Sequence, residues 1–158
     1  MSVNPYKPHV LVLPEDDANK DLANGFHLEI SRIRQMQVLP VAGGWTKVLD
    51  SFTHDHVREM DANLNRFMVL LIDFDGRHNR LDRAKALIPP HLKDRVFILG
   101  AWTEPEKLRS DLGLYEAIGN AMARDCREGT RRIWEHELLQ HNAAEFDRLH
   151  NCVWPFLV

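Results

Sequence analysis

Four short apolar runs punctuate the chain, and longer stretches of mixed character separate them. The runs are His9 to Leu13, Gln37 to Val41, Phe67 to Ile72 and Arg95 to Gly100. Runs this short and this continuously apolar predict strands buried on both faces, as in a parallel sheet. Between them, apolar residues recur every three or four positions. Leu22, Phe26, Ile30 and Ile33 share one face of a helix predicted over Ala18 to Met36, with Asp16 or Asp17 as its N-cap. Gly25 lies inside that stripe and weakens it. Trp45, Val48, Leu49, Phe52, His56 and Met60 line a second helix, Trp45 to Asn63, after the Gly43-Gly44 break. A third helix, Asn79 to Ile88, stops at Pro89-Pro90.

After the fourth run the character changes. Thr103-Glu104-Pro105-Glu106 has the form of a helix start, and Gly113 ends that helix. Leu114 to Arg127 and Arg131 to Leu149 predict two further helices. The apolar terminus, Val153 to Val158, is either an added edge strand or a packed tail. Parallel neighbours need crossovers, so the alternation predicts an α/β fold. Its expected form is a Rossmann-like, mainly parallel four-stranded sheet with helices on both faces and a helical C-terminal extension. One domain is expected over residues 1–158, its core at about 8–103 and its extension at about 104–158.

Composition narrows the classes of function. With 158 residues the chain can bury a sizeable core without staples. The net charge of −3 gives no overall basic field, so contact with nucleic acid would need a local basic patch or a metal bridge. Cys126 and Cys152 have neither metal-ligand spacing nor a disulfide framework, as in a reducing compartment. There is no basic start followed by an apolar stretch, and no apolar run near the about 20 residues that span a bilayer. These features predict a cytoplasmic protein without a membrane partner.

Two acidic clusters carry the most chemistry. Glu15-Asp16-Asp17 follows the first run, and Asp73-Phe74-Asp75-Gly76 follows the third. In parallel sheets ligands bind beyond the carboxyl ends of the strands. If the first and third strands are neighbours, Glu15, Asp73 and Asp75 converge there. In extended backbone Asp73 and Asp75 point the same way, and crowded carboxylates attract a hard cation. The bland alternative makes these residues helix caps and turn formers.

This arrangement resembles the TOPRIM domain, shared by topoisomerases, bacterial primases, small RNA maturases and nucleases of the overcoming-lysogenization-defect type. Glu15 matches the family's glutamate after its first strand, and Asp73-Phe74-Asp75 matches its Asp-x-Asp after the third. The likeness runs from about Pro8 to Thr103. Asp16 stands where the family places glycine, and Asn19 where it places another acid. The resemblance implies Mg²⁺ or Mn²⁺ at Asp73, Asp75 and Glu15, with Glu15 also as general acid or base in phosphodiester chemistry. The expected function is therefore a Mg²⁺-dependent nuclease or other protein handling a DNA or RNA phosphodiester.

Around this set, Asp16, Asp17 and Glu104 are secondary acidic candidates, Glu104 through the second metal of the nuclease relatives. Lys20 and Arg77, with His78, Asn79 and Arg80, either hold a phosphate or form a solvated face. His54-Asp55-His56 places its histidines on different sides of a helix. His136 and His141 are five apart, which reads as a surface or interface helix. Tyr6 and Tyr115 are the only tyrosines, and a topoisomerase would need a nucleophile from a further domain. Two other readings stand beside the first. One is a receiver-like signalling module with Asp73 as its phosphorylated residue. The other is a non-catalytic binding subunit whose C-terminal helices, with Trp134 and Trp154, meet a protein partner or a second copy.

Overall fold

Each of the four apolar runs contributes a strand in the computed structural model, which describes residues 2–103 and 105–158. β1 is His9–Pro14, β2 Met36–Val38, β3 Arg66–Leu71 and β4 Val96–Leu99. They form one all-parallel sheet in the order β2-β1-β3-β4. Val12 pairs with Val38 on one side and Val69 on the other, and Val69 pairs with Phe97. The helices are α1 (Asp17–Leu28), α2 (Trp45–Ser51), α3 (Val57–Ala62), α4 (His78–Leu87), α5 (Pro105–Leu112), α6 (Tyr115–Glu128), α7 (Ala143–Cys152) and α8 (Trp154–Leu157). The fold is α/β and Rossmann-like, with added C-terminal helices. Among the described residues no helix is long and apolar enough to cross a membrane.

Strand alternation divides the core into two layers. Val10, Val12, Val69, Leu71 and Leu99 meet residues from α1, α6, α7 and α8. Leu11, Leu13, Met68, Leu70 and Ile98 meet residues from α2, α3 and α4. Continuous apolar runs are what such two-sided burial demands. Trp134 and Trp154 are buried in the first layer, so their indoles serve the chain's own core rather than a contact surface.

The expected second helix forms with one local change. α2 and α3 are joined through a π-helical turn, Phe52–His56, which keeps Phe52 wholly buried. The first helix is shorter than its stripe. It ends at Leu28, Ile33–Gln35 form a 3₁₀ turn, and Met36 enters β2 opposite Val10. Tertiary contacts decide this. Arg124 and Arg127 of α6 grip Glu29, and the Ser31 and Arg32 amides donate to the Leu157 carbonyl. Nor is Arg131 to Leu149 one helix. The chain turns back at Gly129 and passes through a 3₁₀ turn, Gln140–Asn142, before α7. The buried Asp125 carboxylate stabilises that reversal by accepting from the Thr130 hydroxyl (2.7 Å) and the Ile133 amide (2.8 Å). The apolar terminus is a packed helix, not an edge strand.

α1 and α6 touch at backbone distance. A Cβ on Gly25 would lie 2.0 Å from the Glu116 carbonyl oxygen, and one on Gly119 would lie 1.9 Å from that of Leu22. The outer edge of β4 is covered by side chains from the turn before α7 and from α7 itself. The Ile98 amide donates to Glu145 (2.8 Å), and the Gly100 amide donates to the Asn142 oxygen (3.3 Å). Asn142 returns a bond to the Gly100 carbonyl (3.0 Å), and Arg148 donates to that of Val96 (3.3 Å). Side chains thus satisfy edge groups that a further strand would otherwise pair.

Candidate functional site at the carboxyl ends of β1 and β3

The strand order reverses between β1 and β3, since β2 lies on one side of β1 and β3 on the other. In open parallel sheets this is where a crevice forms. The Glu15 amide extends the ladder by donating to the Leu71 carbonyl (2.9 Å). The Glu15 carboxylate then accepts from the Asp73 amide at 2.7 Å. Burial pushes Glu15 above its usual range and Asp16 adds to the rise, while the Asp73 and Trp45 amides pull it down.

Asp16 caps α1. Its carboxylate accepts from the Asn19 amide and from the Asn19 side chain, both at 3.0 Å. The same side chain approaches Asp73 at 3.4 Å. Asp73 therefore faces Asp16, with Glu15 close by. Burial, reinforced by the charges of Asp16 and Glu15, pushes Asp73 up to about 7. Negative charge here exceeds what the neighbouring donors neutralise, and a proton or a cation relieves it.

Asp75 faces elsewhere. Its backbone is left-handed (φ 53°), as is Gly76 (φ 64°), so the two-residue alternation of a strand does not apply. The wholly buried Phe74 pins this turn, its amide donating to Ala101 at 3.1 Å. Asp75 lies 3.8 Å from Arg77 and 3.7 Å from Arg80. The expectation that Asp73 and Asp75 point the same way is thus corrected by the turn. Among the described residues, no three or more His, Cys, Asp or Glu side chains form a group that could hold a metal ion.

The remaining candidates fall around this centre. Asp17 is exposed at the first position of α1, and Lys20 is half-buried one turn on. Arg77 is exposed. Glu104 lies outside the described residues. Arg80 is placed more firmly than the sequence suggests. It donates to the Asp73 carbonyl (2.9 Å), and its guanidinium lies 5.0 Å from the Trp45 ring centre. Arg83 meets the same ring at 5.4 Å.

His141 escaped sequence reasoning because the continuous helix predicted there placed it on a surface. Its ring lies 5.3 Å from Phe74 and 5.2 Å from Trp102, directly behind the aspartate turn. Both ring nitrogens are buried and find no hydrogen-bond partner among the described residues. Burial drives its pKa down to about 4, and a nearby Gly100 backbone group opposes this only in part. No local sequence signal marks such a residue, since its neighbours come from the segments that follow β3 and β4.

Other polar candidates are engaged elsewhere. His54 bonds the Asp50 carbonyl (2.8 Å), His136 pairs with Asp111 (3.0 Å), and Glu137 pairs with Lys107. Cys126 is buried and its thiol is pushed up to about 12, which removes it as a nucleophile. The chain matches no protein-family model, no curated protein and no solved structure.

Proposed function

We propose that the chain handles a nucleic-acid phosphodiester with the help of Mg²⁺ or Mn²⁺, as its resemblance to TOPRIM domains implies. The observation that supports this reading most is the meeting of Glu15 and Asp73 at the β1/β3 switch point. Their all-oxygen donor set and crowded charge suit a hard divalent cation. Asp73 and Glu15 would hold the ion, with Asp75 joining as Arg77 and Arg80 turn to a phosphate. The ion, when bound, would polarise a phosphoryl oxygen and acidify a water. Arg77, exposed beside the crevice, presents a forked donor to phosphate. Arg80, tied to the Asp73 carbonyl, keeps its charge at the same edge. Glu15, oriented by the Asp73 amide, would take or return a proton.

Calorimetric titration with Mg²⁺ and Mn²⁺ tests the ion, and cleavage of labelled single-stranded DNA and RNA tests the chemistry. Binding and cleavage that disappear in both Asp73→Asn and Glu15→Gln support the proposal. Cleavage unchanged in Asp73→Asn defeats it. Binding without cleavage shifts the reading to a non-catalytic subunit. A receiver-like module draws support from the facing Asp16 and Asp73. Against it, side chains of the α7 region occupy the edge where a fifth strand would pair. Failure to take phosphate from acetyl phosphate would remove that reading.

A further inference from the structure

On one face of the sheet lies a cavity of about 70 Å³, walled on the strand side by Val10, Val12, Val69, Leu71 and Leu99. One water needs only about 10–15 Å³ on the same measure. The cavity runs between the sheet and the helices α1, α6, α7 and α8, from Asn19 and Asp73 to Trp154 and Leu157.

Its interior is built to stay dry. A buried water needs two to four polar partners. Of the polar groups deep in the wall, Asn142 spends both halves of its amide on Gly100. The Trp134 indole donates to the Met122 carbonyl. Apolar cavities of this kind remain empty and accept hydrocarbon guests. One lining residue has the opposite character. Asp73 is partly exposed, and Asp16 and Glu15 add negative charge beside it.

We propose that this cavity is a ligand site for a small apolar body carrying a primary amine that is held at Asp73. The ring or branched alkyl group fills the space against Val12, Leu71 and Leu99, and the ammonium meets the Asp73 carboxylate. The assignment goes beyond phosphodiester chemistry and does not depend on a metal.

Methyl NMR of the full chain, titrated with benzylamine and separately with benzene, tests it. Both probes should move the methyl signals of Val12, Leu71 and Leu99. At about pH 8, benzylamine should bind about tenfold more tightly than benzene, the size of a charge-assisted contact. Asp73→Asn should keep benzene binding and lose that preference. Ala101→Leu, which fills the cavity, should abolish binding of both. Val69→Ile fills less and should weaken both, which keeps the test decisive if Ala101→Leu fails to fold. Methyl signals unmoved at the solubility limit of both probes would overturn the site. So would equal shifts in the filled variants, which would place binding elsewhere. Equal affinity for the two probes would overturn the amine assignment.

Discussion

Asp73 joins three local decisions: the end of β3, the N-cap of α1 and the Glu15 side chain. Its carboxyl stays protonated in the fold up to about 7 but ionises in the unfolded chain near 3.8. Stability from this group is therefore complete below the unfolded value and is lost as pH rises toward 7. Wild-type protein should lose on the order of 2–4 kcal/mol across that interval. Asp73→Asn should flatten the slope, as read by urea unfolding at successive pH values. Parallel profiles for the two proteins would show that Asp73 carries no such charge. His141 acts in the opposite sense. Its folded value of about 4 lies below the unfolded 6.5, so its contribution is present above 6.5 and is lost as pH falls toward 4. His141→Phe should keep its neighbours Phe74 and Trp102 packed, remove the acid loss and raise the melting temperature at pH 5. A melting temperature that drops there would mean the imidazole is needed after all. Glu15 and Asp73 were legible in the sequence because each follows an apolar run that could only be a strand. Asp75 was misjudged because a left-handed turn begins four residues after β3 ends. His141 was invisible because its surroundings are assembled from distant segments.

The contact between α1 and α6 rests on two missing side chains. Either Gly25→Ala or Gly119→Ala drives a methyl into a backbone carbonyl and forces the helices apart. The expected cost is about 1–3 kcal/mol for each, measured by urea denaturation, in line with other overpacked sites. Loss of less than a few tenths would mean that the helices shift freely. In the sequence Gly25 weakens a helical stripe, because helix propensity is local and the partner backbone is not. Strands were the easiest elements to locate, since short apolar runs bounded by polar residues allow few alternatives. Helix ends were the hardest. The stripe through Ile30 and Ile33 continues past Leu28, but Arg124 and Arg127 capture Glu29 and the chain leaves for β2. The reversal after Gly129 depends on a buried Asp125, whose role cannot be told from that of a solvated helix residue until its partners are known.

At the scale of the molecule, the C-terminal helices complete the core laid down by the first hundred residues. Leu157 accepts from the Ser31 and Arg32 amides, and Trp154 packs edge-on against Phe26 with ring centres 5.9 Å apart. Removing residues 154–158 should lower the melting temperature and raise binding of a hydrophobic dye, since the layer under α1 and α6 loses its lid. Unchanged melting and dye binding would show that the terminus only decorates the surface. The α/β alternation showed that a parallel sheet was present, but not how the sheet stops. That is settled by Asn142, Glu145 and Arg148, spaced three apart so that they address successive groups along β4. Replacing Asn142 and Glu145 together with alanine should leave those groups bare and produce association that grows with protein concentration in light scattering. A double variant that remains monodisperse would refute the assignment. A strand can always recruit another strand, whereas a row of side chains offers nothing to copy. On the β4 side the width of the sheet is thus written into the chain's last segments, and that edge is barred from acting as a template for a further strand.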